Sequence, residues 1–245
     1  MMQLQDKIAL VTGGSQRVGR AISIGLAQHG AKVALHYHHS EKQARETVHH
    51  IEAAGGEAFP IAGNFARLEE VRRTVKKCVA HFGGIDVLIN NAAVYFETPF
   101  GSTTEDEWEQ LFAVNLKAPF FCCQEAAKIM RKQQSGKIVN ISDVAGILPW
   151  ADHLPYCATK ASLISVTKGL AKALAPHIQV NAVASGTVLL ADDASSEFRE
   201  KIENGTLLKR IGSPQDIVNT VLFLLTGSDY VTGSVIPVDG GKLLA

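Results

Sequence analysis

The sequence predicts an α/β fold, a single doubly wound parallel sheet of about seven strands with helices on both faces, and three observations carry that prediction. Strand-like and helix-like segments alternate along the whole chain, the strand-like runs are continuously apolar, and the 245 residues are 46% hydrophobic and 20% charged. Strict alternation calls for parallel strands joined by right-handed crossovers. Runs that are apolar throughout suit strands covered on both faces. A chain of this length and composition can bury one large core, so one domain over residues 1–245 accounts for it.

Taken in order, the Val- and Ile-rich runs at 8–11, 32–35, 58–61, 87–89, 137–141, 179–183 and 234–238 read as strands. Helical spacing of apolar residues marks 20–29, 41–54, 68–81, 105–132, 155–174 and 214–225. Together they describe a Rossmann-type domain. One stretch, 185–213, lacks clear periodicity and includes Asp192-Asp193 and Ser195-Ser196. It follows the carboxyl end of the sixth strand, where open α/β sheets bind ligands, and is expected to be a substrate lid.

Several function classes are disfavoured at once. Lys plus Arg and Asp plus Glu are both 24, so no cationic excess favours nucleic acid. No apolar run approaches the roughly 20 residues that cross a bilayer, and residues 1–7 leave no room for a secretion signal, so a cytoplasmic protein is expected. The cysteines, Cys78, Cys122, Cys123 and Cys157, form no CxxC pair and read as reduced core thiols. His36 and His38 share a strand face, but no acidic or Cys residue nearby completes a zinc set, and no metal is expected.

Directly after the first strand comes Thr12-Gly13-Gly14-Ser15-Gln16-Arg17-Val18-Gly19, leading into an amphipathic helix. Glycines there let a backbone approach a pyrophosphate, and the helix N-terminus supplies N–H groups and partial positive charge. An acidic residue at the end of the second strand would hold an NAD ribose; here that place reads His36-Tyr37-His38-His39-Ser40. Imidazole and hydroxyl donors, joined by the Arg17 guanidinium, suit a 2′-phosphate, so the expected cofactor is NADPH/NADP+.

Tyr156 and Lys160 stand four apart on a helix and share one face. Bringing a phenol from pKa about 10 to 7 takes roughly 4 kcal/mol. One ammonium at about 4 Å supplies about that much at an effective dielectric of 20, so the pair suits proton transfer coupled to hydride transfer.

Thr12-Gly13, Asn90-Asn91-Ala92, Asn115, Tyr156/Lys160 and the closing Val231-Thr232-Gly233 to Asp239-Gly240-Gly241 occur in an order and spacing that resemble the short-chain dehydrogenase/reductase family over nearly the whole chain. The resemblance implies catalysis by Asn115, Tyr156 and Lys160, with Asn115 holding a proton-relay water. It implies cofactor contacts at Gly13, Ser15, Arg17, Val18, Gly19, His38, His39, Ser40, Asn64, Asn91, Ala92, Tyr156, Lys160, Gly186 and Val188, and a homotetramer.

Four positions depart from the family pattern: Arg17 for glycine, Asn64 for aspartate, Ser185 for proline, and Asp143 for the serine 13 residues before the tyrosine. Ser142 stands next door, and a one-residue slip would restore the serine. An ionised Asp143 facing the site would raise the tyrosine pKa and oppose Lys160. With Arg17 and the His-Tyr-His-x-Ser segment, an aspartate there is similar to pteridine reductases. That resemblance implies an aspartate and tyrosine protonating a pterin-like ring, with Tyr95, Asp143 and Tyr156 contacting the substrate and Tyr95 stacking on it. Phe96, Trp150 and His153 are further pocket candidates. Ala93 lacks the hydroxyl usual there in those reductases. The alternatives are an NADPH-dependent carbonyl reductase such as a 3-oxoacyl-acyl-carrier-protein reductase, and a non-catalytic NADPH-binding sensor.

Overall fold

The computed structural model describes residues 1–191 and 194–245. All seven expected strands form: β1 (Ile8–Val11), β2 (Lys32–Tyr37), β3 (Glu57–Ala62), β4 (Val87–Asn90), β5 (Gly136–Asp143), β6 (Ile178–Ser185) and β7 (Val235–Val238). They make one sheet in the order β3-β2-β1-β4-β5-β6-β7, and each neighbouring pair is parallel. The chain turns back at β1, which pairs with both β2 and β4. At such a reversal the flanking connections leave in opposite directions and open a crevice beyond the strands' carboxyl ends.

Helices α1 (Arg17–Gln28), α2 (Glu41–Ala53), α3 (Leu68–Phe82), α4 (Glu105–Phe112), α5 (Ala118–Gln133), α6 (Leu154–Leu174), α7 (Ser196–Asn204) and α8 (Pro214–Leu222) complete the elements that matter here. Two apolar clusters cover the sheet. One gathers Val11, Ile22, Leu35 and Ile217, the other Leu10, Leu88, Met130 and Ile138. Leu10 and Leu88 have no solvent exposure, and each such side chain contributes about 1.5–3 kcal/mol of burial. The four cysteines are buried and free. Among the described residues no helix is long and apolar enough to cross a membrane.

Two expectations are corrected. The helix expected over 105–132 is interrupted by a π-helical turn at Ala113–Lys117. Pro119 has no N–H to give the carbonyl four residues earlier, that of Asn115, and the amide of Ala118 bonds instead to Ala113. Periodicity alone does not detect such a bulge. The aperiodic stretch 185–213 holds α7, begun by Ser195 accepting from the amide of Phe198. None of its residues is buried, so it has no apolar stripe to find. Asp192 and Asp193 lie outside the described residues.

Candidate active site

The crevice between β1 and β4 is a cleft of about 690 Å³, within the usual range for ligand pockets. Its floor is tied by the residues that end the two strands. Thr12 Oγ1 accepts from the amides of Asn91 (2.9 Å) and Ala92 (3.0 Å), and Asn91 Nδ2 donates back to the carbonyls of Thr12 and Gly13. Gly13 has φ +62° and approaches so closely that a Cβ there would sit 3.0 Å from Ala92 Cα. At Gly19 a Cβ would meet the Gly13 carbonyl at 2.0 Å, so both glycines are required by space.

The cleft brings together most of the expected cofactor residues: Gly13, Ser15, Arg17, Val18, Gly19, His38, His39, Ser40, Asn64, Asn91 and Ala92. Ser15 Oγ and Ser40 Oγ lie 2.7 Å apart, which joins the glycine loop to the end of β2. Unlike α4 and α8, which carry complete capping boxes, α1 has neither a side-chain cap nor an acidic residue in its first turn. Its leading N–H groups are therefore open to an anion. Arg17 begins this helix in the left-handed region, φ +51°, where a glycine would be at ease. Its guanidinium makes a long, 3.5 Å contact with the carbonyl of Leu189.

Gly186 and Val188 are placed apart from the cleft. The Gly186 amide donates to Val238, and Val188 lines a neighbouring hollow with Leu207 and Asp216. His36, which opens the His36-to-Ser40 segment, is a structural residue. It is 2% exposed, its Nδ1 accepts from the amide of Gly13 (3.1 Å), its Nε2 faces the carbonyl of Gly63 (2.9 Å), and its ring stacks on Phe65. Among the described residues no group of three metal-ligating side chains forms.

Burial lowers the His36 pKa to about 4. The folded state therefore holds this imidazole neutral while the unfolded chain protonates it below about 6.5. Its contribution to stability is complete above pH 6.5 and is lost as pH falls towards 4, by roughly 3 kcal/mol. Urea unfolding across that range should show the decline, and His36→Asn, which cannot titrate, should flatten it.

On the other side of the cleft β5 ends in Ser142 and Asp143. Neighbouring residues of a strand point to opposite faces, and the two part accordingly. Ser142 is buried and donates to the carbonyl of Lys160 (3.0 Å), so the serine is not restored at the site. Asp143 receives the Tyr156 hydroxyl at Oδ2 (2.9 Å) and the amide of Ala145 at Oδ1 (2.8 Å). Lys160 donates to the carbonyl of Ile141 (3.0 Å), and its ammonium lies 5.6 Å from the centre of the Tyr156 ring.

The phenol is accordingly not made acidic as expected from Lys160 alone. Burial, then the Asp143 carboxylate, hold Tyr156 well above the usual tyrosine range. Burial also raises Asp143, against its hydrogen bonds and the nearby Lys160 and Lys242 charges, and lowers Lys160. Carboxyl and phenol form one coupled pair in which Tyr156 keeps its hydroxyl proton and donates it to Asp143.

Asn115 sits on the π turn, 1% exposed, and clamps the backbone of Val94 through Oδ1 (2.8 Å) and Nδ2 (2.9 Å). Beyond it an aromatic wall forms. Tyr95, 57% exposed, stacks on His153 at 4.7 Å and meets Tyr156 edge-on at 5.0 Å, while Trp150 packs against both tyrosines. Phe96 packs against the small core cluster beneath. The approach of Lys242 to the Trp150 ring carried no motif by which the sequence could reveal it.

The family described as enoyl-(acyl carrier protein) reductase matches residues 14–242. A 3-oxoacyl-(acyl-carrier-protein) reductase FabG of Staphylococcus aureus strain Mu50 is 40% identical over 242 residues, covering 97% of this chain and 98% of the relative. An L-rhamnose 1-dehydrogenase (NAD(P)(+)) of a Sphingomonas species is 38% identical, with 98% of each covered. Among solved structures, a short-chain dehydrogenase/reductase from Serratia marcescens superposes with TM-score 0.93 at 32% identity, covering 98% of this chain and 99% of that one. A blue fluorescent protein from a metagenomic library, in complex with NADPH, gives 0.90 at 31%, with the same coverage.

Proposed function

The chain belongs to the short-chain dehydrogenase/reductase family and is an oxidoreductase, and on that premise we propose that it uses NADPH to reduce a C=N bond of a pterin-like heterocycle. The observation that carries this reading is the 2.9 Å hydrogen bond from Tyr156 to Asp143. A ketone needs one proton donor. Ring nitrogens protonate and deprotonate in turn, and suit a carboxyl beside a phenol.

The cleft fits the cofactor: two glycines without room for a Cβ, an uncapped helix N-terminus, and Arg17, Ser15 and Ser40 where a 2′-phosphate would lie. When bound, NADPH supplies the hydride. Lys160 and Asn91 orient it from the chain's side, and Tyr95 stacks against the flat substrate. Tyr156 delivers the proton to the ring nitrogen, and Asp143 holds the phenol in place and replaces the proton it gives. The segment 185–213 acts as the lid, a reading supported by the contact of Arg17 in the glycine loop with the Leu189 carbonyl. The proposal extends to a cytoplasmic homotetramer, supported by exposed Trp108 and Phe120 on α4 and α5, whose size sedimentation equilibrium measures.

Overall identity to 3-oxoacyl reductases favours a second reading, reduction of a 3-oxoacyl thioester, more than the heterocycle. Identity summed over a shared fold reports the scaffold, whereas substrate is decided at the site. A panel of 7,8-dihydropterins and acetoacetyl thioesters, followed by NADPH oxidation, separates the two. Dihydropterin turnover, reduced roughly 10²-fold by Asp143→Ser, is expected. Turnover of the thioester alone overturns the first reading in favour of the second. The non-catalytic sensor has no support beside these relatives.

A further inference from the structure

The chain ends in a short, tightly braced turn at the substrate side of the cleft. Asp239 accepts from the amides of Gly241 and Leu243, both at 2.9 Å, and its carbonyl accepts from Lys242. Gly240 and Gly241 take φ +63° and +82°. The turn is fastened to the return of the 185–213 segment: the Leu208 amide donates to Gly240, and Gly241 lies so close to Leu207 that a Cβ would meet it at 2.9 Å.

This bracing presents one side chain. The Lys242 ammonium lies 4.9 Å from the centre of the Trp150 ring, which itself stacks with Tyr156 at 6.5 Å. Lys242 is half-buried. An ammonium carries three donors. Among the described residues its Nζ makes no hydrogen bond and no ion pair, although ten such pairs form elsewhere. Asp143, the carboxylate whose charge it feels, is already engaged by Tyr156 and Ala145. A half-buried cation with unused donors, carried on a braced turn beside an aromatic wall, is a receptor for a negatively charged oxygen.

We propose that Lys242 is a specificity-determining residue that binds an anionic oxygen, carboxylate or phosphate, on the part of the substrate remote from the reacting bond. The inference rests on the site assignment above but not on which double bond is reduced. The test uses two pairs of probes, each pair sharing a reacting group and differing in the charge of the remote part. Dihydrofolate is set against 7,8-dihydrobiopterin, and acetoacetyl-coenzyme A against acetoacetyl-N-acetylcysteamine, with the intact enzyme and NADPH.

In the pair that turns over, the natural chain should prefer the charged probe. Lys242→Ala and Lys242→Gln should lower that preference in kcat/KM by about tenfold, through KM and not kcat. Lys242→Arg should retain most of it. A preference absent from the natural chain, or unchanged by Ala and Gln, overturns the role of Lys242. Turnover confined to the thioester pair overturns the heterocycle reading while leaving the Lys242 comparison intact within that pair.

Discussion

Tyr156→Phe is expected to lower kcat by roughly 10²–10⁴-fold, the usual contribution of a positioned general acid. The substitution removes one oxygen from a ring that is 6% exposed and packed between Tyr95 and Trp150. The ring stays and the packing stays with it, so the melting temperature and NADPH affinity should change little. The loss should appear in kcat and kcat/KM together, because the proton moves only in the transition state. Asp143 loses its phenolic partner and is left with the Ala145 amide. A carboxyl delivering protons on its own would leave a residual rate that rises as pH falls. Stopped-flow measurement of hydride transfer decides the point, and a rate equal to that of the natural chain removes Tyr156 from the mechanism.

Arg17→Ala should weaken NADPH binding by roughly tenfold to a hundredfold and leave NADH nearly unchanged, since one charge-assisted hydrogen bond contributes about 1.5–3 kcal/mol. The 2′-phosphate is the sole difference between the two dinucleotides. Alanine is the informative replacement because Arg17 occupies φ +51°. Alanine retains a Cβ in that conformation and so keeps the backbone cost, whereas glycine would remove the cost and the guanidinium together. Fluorescence titration with both dinucleotides gives the ratio. Equal losses for the two would assign Arg17 to the loop's shape and not to the phosphate.

Much of this arrangement is legible in the sequence. The apolar runs located all seven strands because a sheet covered on both sides leaves no alternation to blur them, and Tyr156 and Lys160 share a helix face by spacing alone. Other features depend on atoms distant in sequence. Asp143 and Ser142 could be told apart only once β5 was seen to run to residue 143. The π turn follows from Pro119 acting on Asn115, a local effect that hydrophobic periodicity does not register. The structural role of His36 was not legible because its partners, Gly13 and Gly63, come from two other strand ends. The opposition of Asp143 to Lys160 was legible from the residues, but the burial that weighs most on Tyr156 was not, because spacing does not measure it.

The shared hydrogen between Asp143 and Tyr156 also bears on which way the chemistry runs. Alcohol or amine oxidation requires a vacant proton seat, a phenolate ready to receive. Burial and the neighbouring carboxylate keep that seat filled on Tyr156, whose hydroxyl points at Asp143. The pair thus rests in the protonation state from which reduction starts, and oxidation would first have to strip the phenol of its hydrogen.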